Sequence, residues 1–114
     1  MSRYQDLIVW QKSMNLVEMV YAATKLLPDY EKFALADQLR RAVVSVPSNI
    51  AEGQRRGSHK EIVQFSSIAL GSLAEVETQL ILVERLHMID TKSEQNLSAE
   101  IGRMLIALIK SLRS

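Results

Sequence analysis

Apolar residues recur every three or four positions along nearly the whole chain, and no stretch alternates in the manner of a strand. That period puts them on one face of an α-helix. It predicts helices at about 6–27, 30–54, 58–86 and 91–112. In the first, Trp10, Met14, Val17, Tyr21 and Thr24 form one stripe, and Val9, Leu16, Val20 and Leu27 form a second beside it. Pro28-Asp29 ends this helix, because proline disfavours helical geometry in the residue before it. Leu35, Leu39, Val43, Val46 and Ile50 make the stripe of the second helix, with Gly53 or Gly57 as its exit. The third opens at Ser58, where Ser58 and Glu61 have capping-box spacing; Thr91 and Glu94 repeat that signal for the fourth. The fourth carries Leu97, Ile101, Met104, Leu108 and Leu112. Short turns make successive helices antiparallel neighbours, so the expectation is all-α, an up-and-down antiparallel four-helix bundle in a single domain, 1–114.

The third helix is apolar beyond the needs of one bundle. Ile62, Phe65, Ala69, Leu73, Val76, Leu80 and Val83 already supply a core stripe. On opposite flanks of it lie Val63, Leu70 and Ile81, and Ile68, Leu82 and Leu86. A helix serving one core should be polar there. Leaving these flanks in water costs about 25 cal/mol per Å² of apolar surface, and large exposed patches mark interfaces. Two readings stand: neighbouring helices wrap more of this helix, or it forms a homo-oligomer interface. A closed ring needs two different patches on each protomer, which two flanks provide.

Composition narrows the chemistry. A chain of 114 residues is long enough to bury a core. It is 47% hydrophobic and 5% aromatic, so that core must be largely aliphatic. The absence of cysteine excludes disulfides and thiolate metal sites and is compatible with a reducing cytoplasm, the expected location. No signal-peptide pattern is read at the N-terminus. The longest unbroken apolar run, 104–109, is far short of the ~18 residues of a membrane span, so no membrane partner is expected. His59 and His87 are too few and too separated for a metal site, and no cofactor motif occurs. His87 continues the stripe of helix three and reads as a half-buried helix-end histidine. Fourteen Lys and Arg against thirteen Asp and Glu leave a net charge of +1, so any nucleic-acid surface must come from local clustering.

Two clusters qualify. Gln38, Arg41, Ser45, Asn49 and Glu52 fall on one flank of the second helix, with Arg40 on the other. Arg41, Ser45, Asn49 and Glu52 are spaced to touch in sequence, around a Pro47 that should kink the helix. This strip is either a structural polar network or a binding surface. Catalysis is disfavoured, because Glu52 lies within reach of arginines and reads as a salt-bridge partner, and no nucleophile has its own base. The second cluster is the turn 55–60, Arg-Arg-Gly-Ser-His-Lys. Arginines beside exposed helix-start N–H groups suit phosphate, which points to Arg55, Arg56 and Lys60, with Arg40 and Arg41 as secondary candidates. The alternative is a solvated loop whose charges offset Glu52 and Glu61.

Arg40-Arg41, then Ser48-Asn49-Ile50-Ala51-Glu52-Gly53, then Ser58 and Glu61, and later Ala69-Leu70-Gly71-Ser72-Leu73-Ala74-Glu75 resemble the bacterial 23S rRNA-intervening sequence proteins. The same residues are more distantly similar to accessory proteins of diversity-generating retroelements. The likeness covers about 7–88, and the fourth helix resembles nothing specific. It implies a pentameric ring of four-helix protomers, read here as a non-enzymatic protein that meets RNA or DNA through its basic turn. The retroelement likeness implies basic surfaces that engage nucleic acid and a reverse transcriptase, which leaves a protein-partner adaptor as the alternative. Ile62 and Ser66 depart from the pattern, which has a Phe and a Leu there.

Overall fold

The computed structural model describes residues 3–113, all helix and turn among the described residues. Helix α1 spans Ile8–Thr24, α2 Leu35–Arg56, α3 His59–His87 and α4 Lys92–Arg113. Short 3-10 turns at Tyr4–Asp6 and Asp29–Glu31 precede α1 and α2. At about 1.5 Å per residue, the 29 residues of α3 account for the long axis of a molecule measuring 44 × 20 × 19 Å. Each helix packs on its two neighbours in the order α1, α2, α3, α4 and back to α1, with the most extensive contact between α2 and α3. This is the up-and-down bundle expected from the short turns.

The core is aliphatic throughout. Leu16 and Val20 of α1, Leu39, Val43 and Val46 of α2, Val76, Leu80 and Val83 of α3, and Ile101 and Leu105 of α4 are essentially inaccessible. In α1 the stripe that enters is Val9, Leu16 and Val20, followed by Leu27; Met14 and Tyr21 stay substantially exposed. In α4 the buried line is Ser98, Ile101, Leu105 and Ile109, while Leu97, Met104, Leu108 and Leu112 sit half-buried on its flank. The α4 difference is a small rotation about the helix axis, since Ile101 is shared and Leu97 and Met104 still pack against the core. Where two adjacent stripes are apolar, period alone leaves open which one meets the neighbours.

Helix ends follow local chemistry. Pro28 stays extended, and Glu31 and Ala34 close three-residue bonds, so α2 begins at Leu35 and not at the expected position 30. Asp37 in the first turn of α2 and Arg55 and Arg56 in the last both suit the helix dipole. Gly57, at φ 82°, ends α2 in the left-handed region that glycine enters without strain. Ser58 caps α3 as expected, its Oγ accepting the Glu61 N–H at 3.1 Å. Thr91 differs from expectation. Its hydroxyl turns inward to donate to the Leu80 carbonyl (3.2 Å) and accept from Gln95 Nε2 (2.9 Å).

The end of the bundle holding the α1–α2 and α3–α4 turns is tied by two carboxylates. Glu31 meets His87 Nε2 at 2.7 Å, with both side chains largely shielded, at 13% and 9% exposure. Glu84 accepts the Thr91 backbone N–H and the Lys92 ammonium, each at 2.9 Å. The Thr91 bond, followed by Lys92, lowers the Glu84 carboxyl pKa to about 2, against a smaller opposing effect of burial.

Candidate nucleic-acid interface

The opposite end carries the basic turn. Arg55 and Arg56 close α2, Gly57 reverses the chain, and Ser58, His59 and Lys60 begin α3. Arg56 is exposed but held by three neighbours: Nε lies 3.3 Å from Glu52, NH1 3.1 Å from Glu61, and the guanidinium sits 5.1 Å over the Phe65 ring. Glu61 and then Glu52 raise its pKa further above the usual arginine value. Arg56 therefore clamps the turn. Arg55, His59 and Lys60 are exposed, and none forms an ion pair among the described residues.

Topology adds cations that the sequence reading did not group here. Thr91 bonds to Leu80, and a Cβ placed on Gly102 would lie 4.0 Å from Leu70 Cδ2, so α4 descends along α3 in antiparallel register. Continuing that register brings exposed Lys110 and Arg113 to the level of the first turn of α3. The signal was available in principle: antiparallel helices of known length must end together. Arg40 and Arg41, by contrast, lie about 20 Å up α2 from Arg55 at 1.5 Å per residue. Arg41 Nε is 3.0 Å from Asp37, and Arg40 sits 5.9 Å from the Tyr21 ring centroid with a 3.4 Å bond to the Lys32 carbonyl. The five candidate cations thus form two separate groups.

The polar strip of α2 is likewise divided. Arg41 turns to Asp37 and Glu52 to Arg56, each within one helical turn. Between them Asn49 Nδ2 donates to the Ser45 carbonyl (2.8 Å) and Ser45 Oγ (3.0 Å). Ser45 Oγ in turn shares a 2.6 Å bond with Ser72 Oγ of α3. This central piece bridges two helices beside the buried Pro47, while Ser48 bonds back to the Val44 carbonyl at 2.8 Å. Gly53 permits close approach at the same seam: an added Cβ would be 3.0 Å from Phe65 Cβ and 3.3 Å from the Glu61 carbonyl. Among the described residues no cluster of three or more His, Cys, Asp or Glu could hold a metal ion.

A family model described as 23S rRNA-intervening sequence protein matches residues 5–110. The chain belongs to that family. Among solved structures it is similar to a protein of unknown function from the S23 ribosomal protein family of Bacteroides thetaiotaomicron VPI-5482. The two share 30% identity at a TM-score of 0.82, over 90% of this chain and 99% of the other. No curated protein matches.

In this intervening-sequence family member the two flanks of α3 fare differently. Leu70 packs against the core and Val63 is half-buried, so the bundle itself absorbs part of the first flank. Ile81 (40% exposed) remains outside, as do Ile68 (45%), Leu82 (39%) and Leu86 (62%) of the second flank. By length and composition α3 is apolar enough to cross a membrane; here its buried stripe lies against α2 and α4. A second apolar surface runs between α1 and α2, a groove of about 390 Å³ lined by Tyr4, Trp10, Met14, Val17, Val44 and Pro47, among others.

Proposed function

We propose that this family member is a non-enzymatic, homo-oligomeric binding protein, a pentamer by resemblance, that engages RNA or DNA phosphates through the basic end of its bundle. The observation that carries this reading is the set of exposed cations that form no ion pair among the described residues at that end: Arg55 and Lys60 on the turn, with Lys110 and Arg113 on α4. The first turn of α3 adds backbone N–H groups of the kind that bind phosphate. In a ring the set repeats around one rim, so weak contacts sum. The exposed face of α3 and the α1–α2 groove are two different apolar patches, as a closed ring requires.

Light scattering and fluorescence anisotropy with a structured RNA, at low and high salt, test the reading. One species near five protomers and an affinity that falls steeply with salt are expected, by roughly 0.9 log units per decade for each phosphate neutralised. A monomer, or an affinity indifferent to salt, overturns the corresponding half. The groove supports a second reading, an adaptor for a protein partner such as a reverse transcriptase. A complex with purified reverse transcriptase that survives high salt and is lost in Trp10→Ala would favour the adaptor.

A further inference from the structure

Between α2 and α3, midway along the bundle, lies a cleft of about 290 Å³ that neither the basic end nor the apolar groove includes. Gln38, Arg41, Ala42 and Ser45 line its α2 wall, and Ser72, Glu75 and Gln79 its α3 wall. The Arg41 guanidinium is engaged by Asp37 at 3.0 Å, and Ser45 and Ser72 are bonded to each other at 2.6 Å. Glu75 is different: it is exposed and forms no ion pair among the described residues. One helical turn on, Gln79 is only 9% exposed, and its Oε1 is buried with no hydrogen-bond partner among the described residues. A shallower depression continues past the same two residues to Ala74 and Thr78. The α3 wall therefore carries an exposed carboxylate without an ion pair and, one turn on and beneath the surface, an acceptor without a hydrogen-bond partner among the described residues.

We propose that this cleft binds an organic cation, a guanidinium or primary ammonium group, seated between the Glu75 carboxylate and the Gln79 amide. Such groups bring several N–H donors and no acceptor, the complement of what this wall offers. An anion is opposed by Glu75, and Arg41, the other charged residue of the lining, is turned to Asp37. A bare divalent ion would find one carboxylate where it takes several oxygen ligands. The cation has two sources of the same chemistry: a free alkylamine or guanidine, or a Lys or Arg of a neighbouring copy. The second source alone rests on the homo-oligomer reading, because only assembly would carry another chain to the exposed side of α3.

Titration of the ¹⁵N-labelled protein with methylguanidinium chloride, against sodium chloride at equal ionic strength, tests the site. Saturable shifts of the Gln79 side-chain amide and of the Ser72 and Glu75 backbone signals are expected, with affinity reduced ~10-fold or more in Glu75→Gln. Gln79→Met, which keeps the volume and removes the carbonyl, should weaken binding in the same direction. If the cation belongs to a neighbouring copy, Glu75→Gln instead lowers the solution mass, and methylguanidinium lowers that of the unaltered protein. Shifts reproduced by sodium chloride, or no response of either titration or mass, overturn the proposal. A protein that is monomeric throughout removes the neighbouring copy as source, and the titration then decides the site by itself.

Discussion

At position 53 an added methyl group would be tightly confined. Its Cβ would stand 3.0 Å from Phe65 Cβ and 3.3 Å from both the Glu61 carbonyl and the Ile62 Cα, so helix α3 would have to give by a few tenths of an ångström. Gly53→Ala should lower stability by about 1–3 kcal/mol in urea unfolding, despite its better helix propensity. The glycine was legible in the sequence as an exit signal, but α2 runs on to Arg56 and Gly57 makes the exit. A close approach between helices leaves no local trace by which the two roles could be told apart. Glu84 is a second case, since its partners Thr91 and Lys92 lie across a turn. Its carboxyl titrates near 4.5 when free and about 2 when folded. The folded state binds that proton less readily, so this contribution to stability is complete above the free value and fades as pH falls toward about 2. Thermal melts should place Glu84→Gln below the unaltered protein at neutral pH, with the two curves converging near the lower value.

Elements were read well in number and type and less well in rotation. All four helices, the Ser58 cap and the aliphatic core follow from period and composition. The choice between Trp10-Met14-Val17 and Val9-Leu16-Val20 as the inward stripe of α1 does not, because both are apolar and adjacent. In α4 the expected stripe holds at Ile101, with Leu97 and Met104 against the core from one flank, while Ser98, Leu105 and Ile109 take the other buried positions. For α3 the excess of apolar positions was plain, yet the structure separates Leu70, which packs inward, from Ile68 and Leu82, which do not. The informative variant is therefore Ile68→Glu with Leu82→Glu, leaving Leu70 intact. It should remain fully helical by circular dichroism while light scattering reports smaller particles. An unchanged mass would remove this face from any interface.

Across the whole molecule the near-zero net charge conceals an uneven distribution. Arg55, Lys60, Lys110 and Arg113 gather at one end, whereas Arg40 and Arg41 are occupied about 20 Å away. Arg55→Ala with Lys60→Ala should weaken RNA binding and reduce the salt slope by about 2, with assembly unchanged. Arg40→Ala with Arg41→Ala should leave that slope nearly intact in the same anisotropy titration. Equal losses from both pairs would mean that the contact surface runs along the bundle and not across its end.

Helix number, polarity pattern, the Ser58 cap and family were determined by the sequence itself, because each depends on residues within a turn or two of one another or on a contiguous motif. Which stripe faces inward and which carboxylates stay unpaired were decided only by the tertiary structure. Those properties depend on the rotation and axial register of each helix. Rotation and register are set jointly by the packing of all the helices, which no single segment can specify.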